Sequence, residues 1–512
     1  MRGQHTTVKL LASLRTIFAA VTAAIVFTGC AAVGPDFHSP APPATGVYTP
    51  TPLPAETAAA AVAAGASQRF VSGQDIPAEW WTLFSSPSLD KLIREALAGS
   101  PTLALAQARI REAQENRSAQ FGALFPSVDA EASASRQKIS GASLGQPDAD
   151  RGAFNLFNAS VSVSYSLDLF GGTRRRLEAL ESEIEYRQFQ LEGAHIALTA
   201  NVVTTAVKEA SLRSQIRATR AILVAQEKQL ELVSLRLRLG GASRSDLLAQ
   251  QMQVAQTRAT LPPLERDLEQ TRHQLAVLVG RLPGEAALPE FELDEMLLPG
   301  ELPVSLPSSL VRQRPDIRAA EALLHAASAG VGAATANLYP QITLTGRFGS
   351  AADTVGGLFD GSSTLWNVGA GLLQPVFRGG TLTAQRRAAI AVYDQAVAQY
   401  QETVLVSFRD VADVLRALEA DARALAAQAE ADRTAQDALD LTRAQFELGA
   451  VSYLSLLNAQ SQQQAARIGL VRAQAARFAD TAALFQAMGG GWWNRPAADG
   501  AAVGEAAKEQ GR

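Results

Sequence analysis

Four short segments of the chain alternate apolar and polar residues with a period of two, which is typical of a β-strand with one apolar and one polar face. The clearest runs from Ala159 to Leu169, where every second residue is a serine or an aspartate. Stretches rich in Gly, Ser, Ala and Asp, at 138–152 and 350–363, predict exposed loops within two strand pairs. The four strands are predicted to begin near Val128, Ala159, Ile342 and Trp366.

After each strand pair the apolar period changes to steps of three, four and seven residues, the spacing of a helix in a coiled coil. The first such pattern follows Gly171-Gly172 and meets no proline before Pro262. It predicts one helix from Arg174 to about Leu239, which at about 1.5 Å per residue would be about 100 Å long. An equivalent helix is predicted from Gly380 to about Leu448. Few soluble globular domains need a helix of this length.

Each long helix is predicted to end at a tight turn, Leu239-Gly240-Gly241-Ala242-Ser243 or Leu448-Gly449-Ala450-Val451-Ser452. Glycine permits the positive φ that ends a helix, and Ser243 or Ser452 can cap the helix that returns. Pro262-Pro263 is expected to kink or restart the first returning helix. The tips are small, apolar and exposed, which suits contact with another protein, although a plain helical turn has the same pattern.

The chain repeats itself, with three pairs of motifs in the same order and at nearly the same separation. They predict a tandem duplication of about 210 residues, each half ordered helix, strand, strand, long helix, tight turn, helix. In the first half the opening helix is predicted over 88–124, because the residue before Pro126 avoids the α region. The paired motifs are Leu124-Phe125-Pro126 with Leu338-Tyr339-Pro340, Phe170-Gly171-Gly172 with Phe377-Arg378-Gly379-Gly380, and the two tips.

The N-terminus has the organisation of a bacterial lipoprotein signal. A basic region precedes an apolar run, Ile17 to Phe27, that is too short to span a bilayer, and small residues lead to Cys30, the only cysteine. We expect Cys30 to be lipidated, the alternative being a free cysteine after an ordinary signal peptide. Ala31 is not aspartate, which by the sorting rule for lipoproteins favours the outer membrane.

These patterns predict five regions. They are a signal peptide (1–29), a lipid-anchored N-terminal segment (30–85), a first repeat (86–300), a second repeat (301–488) and a C-terminal tail (489–512). Residues 31–67, rich in Pro, Ala and Thr, are expected to be extended and loosely ordered.

Four strands of about ten residues match the length of a tilted transmembrane β-strand. Four strands cannot close a barrel, and an open sheet edge in lipid leaves backbone groups without hydrogen bonds. If these strands lie in a membrane, several chains must share one barrel, and three chains supply about twelve strands, enough for an open lumen. The alternative is a soluble four-stranded sheet packed on one face.

Several motifs resemble the TolC family of outer-membrane efflux proteins, specifically its lipoprotein branch (OprM-like and NodT-like). The resemblance covers nearly everything from Cys30 to Trp492. The motifs that carry it are Cys30-Ala31-Ala32-Val33-Gly34-Pro35-Asp36-Phe37, Arg314-Pro315-Asp316-Ile317-Arg318-Ala319-Ala320-Glu321, Ala336-Asn337-Leu338-Tyr339-Pro340, the tip at 448–460 and Ala487-Met488-Gly489-Gly490-Gly491-Trp492.

The resemblance implies an α+β membrane protein. Three chains would form a trimeric twelve-stranded β-barrel in the outer membrane, continued by a periplasmic α-helical coiled-coil tunnel. The implied function is the exit duct of a tripartite efflux system, a passive channel exporting small molecules. Its implied partners are a periplasmic adaptor, an inner-membrane pump, outer-membrane lipid and two further copies of the chain.

The resemblance also implies roles for residues at the tips. A periplasmic aperture would be formed by Asp246, Leu454, Ser455 and Asn458, with Leu454 narrowing the entrance. Relatives often carry an aspartate at the place of Asn458 or Ser455, so a fully acidic ring is not expected. The adaptor would contact Leu239, Gly240, Gly241, Ser243, Leu247, Leu448, Gly449, Val451 and Ser452.

Composition adds exclusions. The net charge of −4, from 46 basic and 50 acidic residues in 512, gives no sign of a nucleic-acid partner. No histidine lies at a metal-ligand spacing from another His or Cys, and no Ser/His/Asp order or phosphate loop stands out, so we expect no enzyme, no metal site and no cofactor beyond the lipid on Cys30. Glu181, Glu183, Tyr453 and Arg174-Arg175-Arg176 are interpreted as solvated or tunnel-wall residues.

Two other functions remain open at this stage. The same duct could secrete polypeptides, in the manner of a type I system. A trimeric surface lipoprotein without a lumen would show the same anchor and the same long helices, and it would conduct no ions.

Overall fold

A computed structural model describes residues 32–138, 140, 152–285 and 287–495. Cys30 and the signal segment lie outside the described residues, as does the tail from residue 496. The chain divides into two compact units. Of the described residues, those within 32–39, 110–186 and 320–400 form the first unit, and those within 40–109, 187–319 and 401–495 form the second.

The described residues contain six strands and eight α-helices. The strands are β1 (Arg69–Ser72), β2 (Ser127–Gln137), β3 (Phe154–Leu167), β4 (Glu301–Val304), β5 (Gln341–Ala352) and β6 (Thr364–Leu373). The helices are α1 (Pro87–Gly99), α2 (Pro101–Gly122), α3 (Gly172–Arg238), α4 (Arg244–Leu278), α5 (Pro307–Gln313), α6 (Pro315–Ala336), α7 (Thr381–Glu447) and α8 (Tyr453–Ala487).

Corresponding helices of the two repeats have equal lengths. The long helices α3 and α7 both have 67 residues, and the returning helices α4 and α8 both have 35. The helices before the strand pairs, α2 and α6, both have 22. Duplication predicts this equality, since each half builds the same supersecondary unit.

The first unit contains an antiparallel sheet with strand order β2-β3-β5-β6. Ala130 lies opposite Val161, Val161 opposite Phe348, and Phe348 opposite Trp366. Directly opposed residues share a face of a sheet, so one face is apolar along all four strands, as the alternation predicts. Phe348 and Trp366 are exposed on that face.

The other face of this sheet is polar. The Arg347 guanidinium donates hydrogen bonds to Ser160 Oγ, from Nε at 3.0 Å and from Nη2 at 2.9 Å. The same guanidinium lies 3.6 Å from the Glu131 carboxylate. The outer strands β2 and β6 each pair on one side only within the described part of the chain.

Two helix predictions differ from the structure. The opening helix is divided into α1 and α2, because Ser100 has the extended conformation (ψ 118°) that a residue before proline favours. Helix α4 runs through Pro262-Pro263 as one element, so of the two predicted alternatives, a kink or a restart, the restart is excluded and the kink stays a prediction. The proline φ is itself helical, but the two prolines lack the N–H groups that would have donated backbone hydrogen bonds within the helix.

The core of the second unit is aromatic. The Trp80 and Phe485 rings stack with their centroids 5.1 Å apart, and Phe84 packs on Phe478 at 6.1 Å. All four of these side chains are buried. The unit also contains a parallel two-stranded sheet, β1 with β4, that the alternation does not reveal because each strand has only four residues.

The proline-rich segment is extended, as predicted, but it is held by specific contacts within the second unit. The Tyr48 hydroxyl donates to Ser305 O at 2.8 Å. The buried Arg477 guanidinium donates to Ala64 O at 2.6 Å and to Gln68 Oε1 at 2.8 Å. The expectation of loose order is therefore wrong for this part of the chain, because Tyr48 binds it to Ser305 and the buried Arg477 binds one of its backbone carbonyls.

Candidate functional site

Both tips end their long helix in the same way. In the first, the Gly241 N–H donates to Arg236 O at 2.7 Å and the Gly240 N–H to Leu237 O at 3.1 Å. The second has matching bonds at 2.9 and 3.0 Å, from residues 450 and 449. Gly240 and Gly449 have φ of 76° and 74°. This pair of bonds with a left-handed glycine is the Schellman motif, which the sequence predicts from its glycines.

The returning helices begin with serine caps, as predicted. The Asp246 N–H donates to Ser243 Oγ at 3.1 Å, and the Asp246 carboxylate accepts from the Ser243 N–H at 2.9 Å, a complete capping box. In the second tip the Ser455 N–H donates to Ser452 Oγ at 3.2 Å. Residue 455 carries no carboxylate, so only the first cap is reciprocal. Asp246, predicted at the aperture, is thus engaged in capping.

Most of the predicted tip residues are exposed. The side chains of Leu239 and Leu448 are 78% and 87% exposed, and Leu454 is 64% exposed. Leu247 and Val451 are half-buried, and Leu247 packs on the cluster beneath the tips. The other exposed members of the predicted set are Gly240, Gly241, Ser243, Gly449, Ser452 and Asn458, and Asp246 and Ser455 are half-buried.

A buried cluster beneath the tips joins residues of both repeats. It consists of Val233, Leu439, Tyr453, Leu456 and Leu457. The Tyr453 hydroxyl donates to Gln250 Oε1, and Gln250 Nε2 donates to Gln226 O at 2.8 Å. Burial, together with the nearby Asp246 charge, raises the pKa of the Tyr453 phenol.

The interpretation of Tyr453 as a solvated or wall residue is therefore wrong. Tyr453, Leu456, Leu457 and Gln460 follow the spacing of one helix face, and all four are buried. That spacing is the signal in the sequence that could have identified the cluster.

The segment that follows Cys30 docks on the first unit. The Val33 N–H donates to Phe170 O at 3.0 Å, and Arg175 Nε donates to Val33 O at 3.2 Å. The Phe37 ring stacks on His325 at 4.4 Å, and His325 Nε2 lies 3.0 Å from the Glu178 carboxylate.

Arg175 is the centre of this docking site. Its guanidinium lies 2.7 Å from the Asp36 carboxylate and 2.8 Å from that of Glu178. The Arg175 hydrogen bond and charge hold the pKa of Asp36 below its ordinary value. Arg175 is buried, so its interpretation as a solvated or wall residue is wrong. The Arg-rich run gives no sign of which arginine turns inward.

Two glycines let this segment come close to helix α6. Gly34 has φ of 105°, and a Cβ built on it would lie 2.3 Å from the Gly332 Cα. A Cβ on Gly332 would lie 2.9 Å from Val33 O and from the Arg175 side chain. Only glycine fits at both positions, since real Cβ contacts are longer.

Neither the described tips nor the docking site contains a set of side chains that could bind a metal ion. Within the described ranges, no group of three or more His, Cys, Asp or Glu side chains could hold a metal ion. Among the helices of the described residues, none combines the length and apolarity that crossing a membrane requires.

Comparison with known proteins agrees with this architecture. The chain is 33% identical over 451 residues to the pyoverdine export outer membrane protein OpmQ of Pseudomonas aeruginosa, covering 87% of this chain and 94% of that protein. It is 29% identical over 485 residues to the probable efflux pump outer membrane protein TtgC of Pseudomonas putida, covering 94% and 96%. The solved outer-membrane channel OprN superposes with a TM-score of 0.80 at 28% identity, over 90% of this chain and 99% of that chain.

The family profile described as outer membrane efflux protein matches residues 92–281 and 306–490. The two matched segments correspond to the two repeats, and the second extends two residues beyond residue 488. They include both hairpins of long helices and all four strands of the antiparallel sheet. The family is one of transport proteins rather than enzymes. On the strength of these matches, the chain belongs to the outer membrane efflux protein family and is an outer-membrane protein that functions in efflux.

Proposed function

We propose that three copies of this chain form a passive exit duct through the outer membrane. Their sheets would join into one twelve-stranded barrel, and their long helices would form a periplasmic tunnel. The observation that carries the proposal is the sheet of the first unit, which has one continuous apolar face and whose outer strands, as far as the chain is described, pair on one side only. Lipid tolerates such a sheet only when its edges are closed.

Barrel geometry favours three copies. Two copies would give eight strands, and a barrel of that size is filled by its own side chains. Three copies give twelve strands and leave room for water. The polar face, with Ser160 and the Arg347–Glu131 pair, would then line the lumen.

The docking site supports a lipid anchor at Cys30. Ala32 and Val33 are bound close to the end of β3, at Phe170 and Arg175. Two residues of chain reach at most about 7 Å, so an acylated Cys30 would lie near the same end of the sheet. An acyl chain there would enter the bilayer leaflet that surrounds the end of the barrel from which the helices leave.

The tips are proposed to meet a periplasmic adaptor that couples the duct to an inner-membrane pump. Exposed leucines at the ends of both hairpins, Leu239 and Leu448, offer apolar contacts on otherwise small turns. Leu454 and its symmetry mates would narrow the aperture. Asp246 is the one carboxylate of the proposed aperture set, and it is committed to the helix cap, so we expect weak cation preference.

The duct is proposed to carry small molecules and to do no chemistry. One relative is named for the export of pyoverdine, and another is named as the outer membrane protein of an efflux pump. Energy and most of the substrate choice would come from the pump.

The test in cells is deletion of the gene followed by a susceptibility panel of drugs, solvents and siderophores. We expect greater sensitivity to at least one class, restored by the wild-type gene and restored less well by Cys30→Ala. Wild-type sensitivity across the panel would contradict a role in small-molecule efflux. Full restoration by Cys30→Ala would contradict the anchor alone.

A further inference from the structure

An aromatic contact marks the place where two neighbouring strands of the sheet meet the helices. Phe170 follows β3, Tyr339 precedes β5, and their rings stack with centroids 4.7 Å apart. β3 and β5 are antiparallel neighbours in which Leu167 lies opposite Ile342. The stack therefore closes the end of an in-chain strand pair.

The tandem repeat supplies the same two aromatics a second time. Phe377 follows β6 as Phe170 follows β3, and Phe125 precedes β2 as Tyr339 precedes β5. β6 and β2 are the two outer strands of the sheet, and among the described residues these two aromatics do not stack on each other. Phe125 instead contacts Phe121 edge-on, with ring centroids 5.4 Å apart. Phe377 is 87% exposed and Phe125 is 57% exposed.

We infer that Phe377 of one copy stacks on Phe125 of the neighbouring copy, and that β6 pairs antiparallel with β2 of that copy in the register of β3 with β5. The inference rests on the proposed trimeric duct and adds the residues that join its subunits. The partner that binds these outer strands is a second copy of the chain, because each copy carries both aromatics of the contact, Phe377 after β6 and Phe125 before β2.

The register follows from the repeat. Alignment of Phe170 with Phe377 relates β3 to β6, and alignment of Pro340 with Pro126 relates β5 to β2. The second copy of the first motif has one extra residue, Arg378, which follows Phe377 and therefore lies outside the aligned strand. The observed pair Val161 with Phe348 then becomes Val368 with Ala134 of the neighbour. The pair Leu167 with Ile342 becomes Gln374 with Val128 of the neighbour.

The apolar face provides an independent check on this register. Val368 pairs with Gly346 and Ala134 pairs with Phe157, and both belong to the apolar face of the sheet. A slip of one residue would place Val368 opposite Ser133 or Ser135, on the polar face. The residues that set the register lie outside the strands. The finding that Val368 and Ala134 share the apolar face is therefore independent of how the register was set.

Paired cysteines test the register directly, since the only native cysteine is Cys30. Full-length protein carrying Val368→Cys and Ala134→Cys is purified in detergent and oxidised with copper phenanthroline. Opposed residues in antiparallel strands are close enough for a disulfide. We expect covalent dimers and trimers on a gel without reductant, which return to monomers with reductant.

Two matched variants keep the result interpretable. Val368→Cys with Ser135→Cys places the thiols on opposite faces and should give no ladder. Val161→Cys with Phe348→Cys pairs within one chain and should consume its thiols without forming oligomers. A ladder from the Ser135 variant, with none from the Ala134 variant, would overturn the register.

The aromatic contact has its own readout. Phe377→Ala should lower the temperature at which trimers dissociate in detergent, and Phe377→Tyr should keep it close to wild type. An unchanged dissociation temperature for Phe377→Ala would overturn the stack. Wild-type trimers that conduct ions, with no cross-link in the Ala134 variant, would refute the interface and leave the duct intact. A wild-type monomer that conducts nothing would refute the duct itself.

Discussion

At the scale of the residue, the lack of a side chain at Gly332 in α6 allows the N-terminal segment to pack closely against this helix. Its missing Cβ leaves room for Val33 O and the Arg175 side chain, which a Cβ would approach to 2.9 Å. Gly330, one half-turn away on the same helix, has nothing within 4 Å of a Cβ built on it. Alanine substitutions at the two positions therefore distinguish two effects. Both raise helix propensity, but only the one at Gly332 disturbs the contact with the N-terminal segment.

We predict that Gly332→Ala loosens the N-terminal segment, because the new methyl group displaces Val33 or the Arg175 side chain. Gly330→Ala should instead stabilise the protein by about 0.5–1 kcal/mol, the ordinary gain for alanine in a helix. Limited proteolysis near residues 32–39 and the midpoint of thermal unfolding measure both effects. Equal protection of the segment in the two variants would contradict the docking role of Gly332.

Glu209 is a fully buried carboxylate that holds three partners. It accepts from Arg213 Nε at 2.7 Å, Arg272 Nη1 at 3.0 Å and the Phe291 N–H at 2.9 Å. It thus joins α3, α4 and the segment between α4 and β4. Burial of this kind makes removal of one partner costly, since the remaining charges lose their compensation.

We predict that Glu209→Gln lowers the free energy of unfolding by about 3 kcal/mol or more. The control is Glu227→Gln, which removes an exposed ion pair to Arg258 at 2.6 Å and should cost about 1 kcal/mol at most. Urea unfolding followed by circular dichroism compares the two. Losses of the same size would mean that the Glu209 network is not the link between α3 and α4.

At the scale of the element, the sequence predicts what is set by local rules. The long helices and their ends at Gly240 and Gly449 follow from apolar period, glycine and serine caps. The β1–β4 pair could not be predicted, because a four-residue parallel pairing has no local period. The continuity of α4 through Pro262 depends on tertiary packing that local rules do not contain.

Helices α7 and α8 also carry a carboxyl pair, Asp421 and Asp480. Burial, reinforced by the hydrogen bond and the charge of Asp480, raises the pKa of Asp421 to about 7, while the Arg477 charge acts in the opposite direction. The folded chain therefore holds a proton that the unfolded chain releases near pH 4. Stability from this group is full below that pH and is lost as pH rises through about 7.

We predict that the melting temperature of the wild type falls between pH 5 and pH 8, and that Asp421→Asn reduces this fall. Asparagine stays neutral throughout this range, so it keeps the uncharged state at both pH values. Asp437→Asn, at an exposed position on the same helix, is the control and should keep the wild-type fall. An unchanged fall in Asp421→Asn would contradict the assignment to this pair.

At the scale of the whole molecule, duplication explains which contacts between the repeats form within one chain and which strand edges stay unpaired in its described part. Equal helices in the two halves meet at the tips around Tyr453, and the two strand pairs meet as β3 with β5. The repeat and the apolar face could be predicted from the sequence. The docking of Val33 on Arg175 could not, because it depends on two glycines that meet only in the folded chain.

The central claim is that three chains enclose water, and single-channel conductance in a planar lipid bilayer tests it most directly. We predict steps of ion current from purified wild-type trimers, larger steps from Leu454→Ser, and wild-type steps from Leu448→Ser, whose side chain is assigned to the adaptor rather than the aperture. Bilayers that remain silent with correctly assembled wild-type and Leu454→Ser trimers would contradict the account.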